Sequence, residues 1–200
     1  MPEKTVQEVD RRLVRWAHTW AAAASETYET IESISMVESP ATAIGRRDAM
    51  TMVLIDAVRN VVRGAELAVG KDSEIVQRFN EGNPGLKDLR DRFEHYEDYV
   101  RGTGDKQRMG RRRGGKPLEL EAEGIRVAAS SGGGLEGHLV HVVVIERDEN
   151  NEVVEVVYEA PSRTVAVAVR YLARDLLRAA GMLDENHLAS CEICAAPDEI

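Results

Sequence analysis

The apolar residues of this chain repeat with one period up to about residue 103 and with another from residue 117 onward. Spacings of 3 and 4 place side chains on one stripe of a helix, whereas alternation places them on one face of a strand. A chain that changes period once makes its helices and its strands in separate runs, which is the α+β class. The sequence therefore predicts an N-terminal antiparallel helical bundle (1–103), a basic Gly/Arg-rich linker (104–116), β-hairpins closed by one C-terminal helix (117–183), and a tail (184–200).

In the first part, Val6, Val9, Leu13, Trp16, Trp20, Ala23 and Thr27 form a narrow seam that Ile31 and Ile34 continue. The helix they predict is too long to bury its seam alone and must pack in a bundle or against a second copy. Ser39-Pro40 interrupts the pattern. A second helix is expected over 41–69, with Met50, Leu54, Ala57, Val58, Val61, Ala65 and Ala68 inward and Gly70 as a C-cap. Asp72-Ser73 caps a short third helix through Phe79, and Gly82-Asn83-Pro84-Gly85 reads as a turn. A fourth helix is expected over 86–101, with Leu86, Leu89, Phe93, Tyr96 and Val100 on one face.

After residue 117, LELEAEGIRVAAS alternates, with Gly124 at a turn. LVHVVVIE (139–146) and EVVEVVY (152–158), separated by RDENN, predict a hairpin. Ser162 is placed as the N-cap of a last helix that ends at Gly181 and buries Val165, Val169, Leu172 and Leu176.

No apolar run approaches membrane-spanning length, and no membrane partner is expected. The opening MPEKTVQEVDRR lacks the apolar core of a signal peptide, and the two cysteines exclude a disulfide scaffold, so a cytoplasmic location is expected. Residues 101–116 hold seven basic residues against one acid, so a chain of net charge −9 carries −15 outside that segment. Its five glycines predict a mobile arm, and Arg108, Arg111, Arg112, Arg113 and Lys116 are its candidate contacts to nucleic-acid phosphates.

The fourth helix carries LRDRFEHYEDY, residues 89–99. Arg90, the polar Asp91 and then His95 resemble the Arg-polar-x3-His motif of the higher-eukaryote and prokaryote nucleotide-binding (HEPN) superfamily. The likeness covers at most residues 1–103. It implies a compact helical bundle that forms a homodimer and acts as a metal-independent ribonuclease, as in toxin–antitoxin and phage-defence systems. On that likeness Arg90 stabilises charge developing on a phosphate. His95 is the general acid or base. Helical spacing puts Asp91 and Tyr99 one turn either side of His95, where Asp91 is expected to orient or charge the imidazole and Tyr99 to donate a hydrogen bond. A common toxin variant has Tyr two residues after the His; here Glu97 stands there, flanked by Tyr96 and Tyr99. Arg12 and His18 have a similar spacing on the first helix but lack the polar neighbour. At 100° per residue Arg90 and His95 lie about 140° apart, so two facing copies are needed to aim both at one phosphodiester.

In the tail, His187, Cys191 and Cys194 have the spacing of three zinc ligands, with Asp184, Asp198 or a second chain as a possible fourth. The pattern is incomplete, and no cofactor is expected. SSGGGLEG (130–137) reads as a flexible loop, and His138 and His141 point to opposite faces of their strand.

Two functions follow as expectations. The first is a HEPN-like RNA-binding or metal-independent ribonuclease protein. The second is a non-enzymatic oligomeric interaction protein whose β-rich C-terminal part binds a protein partner.

Overall fold

The structure, a computed structural model, describes residues 9–34, 40–108, 116–120, 124–130, 138–191 and 194. Its elements follow the change of period. Helices α1 (Arg11–Ser33), α2 (Pro40–Val69), α3 (Glu74–Gly82), α4 (Pro84–Glu94) and α5 (Tyr96–Val100) come first. Strands β1 (Ile125–Ser130), β2 (Leu139–Arg147) and β3 (Val153–Pro161) follow, then α6 (Ser162–Ala179) and α7 (Glu185–Ser190). The fold is α+β.

The helix ends obey local chemistry. Asp10 caps α1 by accepting from the Arg12 amide at 2.9 Å, and Ser73 caps α3 by accepting from Val76. Gly70, just past α2, has a φ of 89°, the left-handed turn that glycine favours. The strands form an antiparallel sheet in the order β1-β2-β3. In the β2–β3 turn, the Asp148 carboxylate accepts from the Asn150 and Glu152 amides. Alternation turns Val140, Val142 and Val144 inward, and Glu146 stands at the end of the same inward row.

The helical and β-rich parts share one core. Val14, Val58, Leu89, Val142 and Leu172 belong to the same continuous cluster, and α6 packs on α1 and α2. Val165, Val169, Leu172 and Leu176 are buried on α6, as the spacing predicts. Among the described residues, no helix is long and apolar enough to cross a membrane.

Five local expectations are corrected. The buried stripe of α1 is Val14, Ala17, Ala21, Ala24, Thr27 and Ile31; it coincides with the predicted seam from Thr27 onward but is shifted by one residue before it, and Trp16 is 37% exposed. The cause is close packing on α2: a Cβ built on Gly64 would lie 2.9 Å from both Ala17 Cβ and Trp16 Cε3. Gly64, lacking a side chain, lets both the Ala17 methyl and the edge of the Trp16 ring approach α2 this closely.

The helix expected over 86–101 is broken at His95, whose φ of −107° and ψ of 26° leave the helical region. The break changes the phase of the following turn, so Tyr99 is 2% exposed while Val100 faces out. Residues 104–108 are not a mobile arm. The Gln107 side chain is fully buried and bonds the carbonyls of Tyr99 (3.0 Å) and Ile145 (2.9 Å) and the Gly104 amide (2.9 Å). Gly104 serves close approach, since a Cβ there would meet the Tyr99 ring at 2.7 Å. Finally, Ser162 is the first residue of α6 rather than its cap, and its hydroxyl donates to Glu32 Oε1 at 3.0 Å. Residues 117–120 stand outside the sheet, so β1 begins only after Gly124.

Candidate functional site

The break between α4 and α5 turns His95 outward. Its side chain is 59% exposed, and Nδ1 lies 3.8 Å from an Asp98 carboxylate oxygen. The imidazole borders two cavities. One, of about 290 Å³, is walled by Asp91, Arg92, His95, Tyr99, Asp105 and Lys106 among others. The other, of about 390 Å³, adds an apolar rim of Met52, Phe93 and Tyr96.

The wall of the first cavity is built on Glu146. Burying this carboxylate on the inward row of β2 requires compensation. Arg92 Nε lies 3.5 Å from one of its oxygens and Lys106 Nζ lies 3.4 Å from the other. Tyr158, across the β2–β3 ladder, donates its hydroxyl proton to Glu146 at 2.9 Å. The same oxygen accepts from Arg92 and from Lys106, each at 3.0 Å. One phenol thus uses its donor and both acceptor positions. The Arg92 guanidinium also stands 5.8 Å from the centroid of the Tyr99 ring. Burial pushes the Tyr99 phenol up to about 12, so it remains a neutral hydroxyl.

Of the four residues singled out in the fourth helix, Asp91, His95 and Tyr99 line one cavity and Arg90 does not. The Arg90 side chain is 11% exposed and sits 3.3 Å from Asp91, which also takes Lys87 at 3.1 Å. The guanidinium in the wall beside His95 is Arg92. Sequence reasoning passed over Arg92 and Lys106, although two cations beside a β-strand glutamate are the signal of a compensated buried charge. Arg108 bonds the Thr103 carbonyl at 2.7 Å, and Lys116 pairs with Glu119 at 3.1 Å. Arg111, Arg112 and Arg113 lie outside the described residues, as do Asp198 and 131–137 of the glycine-rich loop.

His138 and His141 take separate partners, as their odd spacing implies. His138 Nδ1 meets Glu32 at 3.0 Å, and His141 Nε2 meets the Ser130 hydroxyl at 2.6 Å.

A second cluster forms where α7 meets α1. Asp184 caps α7 by accepting from the His187 amide at 2.7 Å, so its carboxylate is a cap and not a fourth ligand. His18 joins the three tail residues instead. Its Nε2 lies 3.3 Å from Cys191 Sγ and 3.6 Å from Cys194 Sγ, and His187 Nε2 lies 3.3 Å from Cys194 Sγ. The four donor atoms all lie within 4.8 Å of one another. Burial, with the facing His187, lowers the His18 pKa from the ordinary histidine value and so favours the neutral ring. Nothing in the local sequence around His18 marks it, because its partners lie far along the chain.

No family model, no curated protein and no solved structure matches this chain.

Proposed function

We propose that the protein is a HEPN-like RNA-binding protein of the metal-independent ribonuclease type, working as a homodimer with His95 at its reactive centre. The observation that carries this reading is an outward imidazole at a cavity whose wall holds Arg92, Lys106 and the neutral phenol of Tyr99. In this reading His95 takes the proton of a ribose 2′-hydroxyl, and the freed oxygen attacks phosphorus. The bond to the 5′-oxygen breaks, that oxygen gains a proton from His95 of the second copy, and a cyclic phosphate remains. Arg92 and Lys106 stabilise the charge growing on the phosphoryl oxygens. Arg90 is a positioning residue that, with Lys87, neutralises Asp91.

The apolar rim of Met52, Phe93 and Tyr96 is the surface on which a second copy brings its own His95 close. Glu94 and Asp105 oppose a polyanion at this cavity, so the basic residues 111–113 supply the longer-range attraction. A toxin–antitoxin or defence role and a cytoplasmic setting belong to the same reading.

The test is RNA cleavage by the full chain without added divalent cations, wild type against His95→Ala. Cleavage lost in the variant supports catalysis at His95. Cleavage that persists in the variant, or is absent from both, removes it, and RNA binding followed by fluorescence anisotropy then decides the binding half alone.

A second reading, a non-enzymatic interaction protein, draws on β3. This edge strand exposes Val153 and Val157, which are 53% and 48% accessible. Exposed valines on an edge are the surface on which a partner protein adds a strand. Retention of a co-purifying protein by the wild type, and its loss from Val157→Lys, would favour that reading.

A further inference from the structure

We propose that His18, His187, Cys191 and Cys194 form a structural zinc site that fastens the segment following α6 onto α1. The geometry carries the claim. Zinc bonds of about 2.3 Å to sulfur and about 2.0–2.1 Å to nitrogen, at tetrahedral angles, place neighbouring N and S donors about 3.6 Å apart. The three N···S separations here are 3.3, 3.3 and 3.6 Å. These separations match that spacing, and all four donors lie within 4.8 Å of one another, close enough to share one ion.

The local chain is built to converge on that point. The Cys191 amide donates to the His187 carbonyl at 2.9 Å, and the Cys194 amide donates to the Cys191 carbonyl at 3.0 Å. These two bonds bring together three donors, His187, Cys191 and Cys194, that are close in the chain. The fourth comes from the middle of α1, 173 residues before Cys191.

The donor set selects the metal. Two thiolates and two neutral imidazoles in a tetrahedral array suit zinc, and the absence of a carboxylate disfavours magnesium and calcium. Two thiolates balance the dication, so the filled site is neutral and tolerates the burial of Cys194, which has no exposed surface. Four protein ligands leave no open position for substrate, which makes the site structural rather than catalytic. It is separate from the His95 cavity, and neither its existence nor its failure bears on RNA chemistry there.

The test uses full-length protein purified under reducing conditions without chelator. Atomic emission is expected to find one zinc per chain. X-ray absorption at the zinc edge is expected to show two sulfurs at about 2.3 Å and two imidazole nitrogens at about 2.0–2.1 Å. Cobalt(II) is expected to give the intense visible absorption of a tetrahedral site with thiolate charge transfer. His18→Ala is expected to weaken cobalt binding by more than the ~10–100-fold that loss of an outer-shell partner costs. Should that variant not fold, the wild-type absorption shell decides alone. Zinc-free protein that takes up no cobalt, a Cys191–Cys194 disulfide in the native protein, a shell with one imidazole and a water oxygen, or an unaltered His18→Ala titration would each overturn the site.

Discussion

Arg92 engages Tyr158 twice: its Nη2 donates to the phenol oxygen at 3.0 Å, and its guanidinium carbon lies 4.7 Å from the centroid of the same ring. The contact joins β3 to α4, the helix that ends one residue before His95. A charge-assisted hydrogen bond and a cation–π contact share a single donor group.

Removing the anion at the centre of that network is the first prediction. Glu146→Ala leaves Arg92 and Lys106 facing one another without compensation. Breaking a buried pair in this way costs about 3–5 kcal/mol. Urea unfolding should show that loss, and Arg92→Met in the same chain should recover part of it. Strictly additive losses would mean that the three groups do not act together.

The α1–α2 contact supplies the second. Gly64→Val adds a branched side chain where even a single Cβ lies 2.9 Å from Ala17 and Trp16. Overpacking of this kind costs about 1–3 kcal/mol. Thermal unfolding should register the cost. Trp16 emission should shift, because the ring forms one wall of the contact and stacks edge-on against Trp20 with centroids 6.2 Å apart. Unchanged stability and emission would place the helices further apart than described.

Acid stability is the third. Burial raises the cost of ionising Glu32, but hydrogen bonds from the His138 ring and amide and from the Ser162 hydroxyl outweigh it and hold its pKa below the ordinary glutamate value. A depressed folded-state pKa contributes stability that is fully present above the unfolded-state value, about 4.3, and is lost as pH falls through the folded value. Glu32→Gln should therefore be less stable than wild type at neutral pH and should converge with it in acid. Parallel stability curves across that window would rule the contribution out.

Metal removal is the fourth. A ligand held at about 100 times its Kd stabilises the native state by about 2.7 kcal/mol. For a chain of this size that corresponds to about 5–10 °C in Tm. Chelation should lower Tm by that order and expose 185–194 to protease, while the same treatment of His18→Ala should change little. Equal shifts in the two proteins would point to some other metal effect.

The architecture was legible in the sequence because it depends on periods that each element carries by itself. The α2 face, the Ser73 cap, the β2–β3 hairpin and the inward row of α6 all follow from neighbours in the chain. The misreadings have another origin. The first half of the α1 seam was set by large apolar side chains, but the contact there is governed by Gly64 on a different helix, against which Ala17 is buried and Trp16 presents only a ring edge. Tyr99 was placed one turn beyond His95 by extending one helix through it; the break buries the ring but leaves it in the wall of the His95 cavity. Arg90 fitted a spacing pattern, whereas the guanidinium beside His95 is that of Arg92, drawn inward by a glutamate on β2 that no local pattern connects to it. His18 was invisible for the same reason: three ligands could be read from the tail, and the fourth is supplied only by tertiary structure.

The wide sequence separation between His18 and its three companions also sets an order of events. On the ribosome, α1 emerges while the cysteines have yet to be translated, 173 residues later for Cys191. Nascent chains stopped before α7 hold only His18 of the four ligands and no cysteine. Zinc capture would then come after the bundle and sheet have been synthesised, and the metal would lock elements already in place rather than nucleate them.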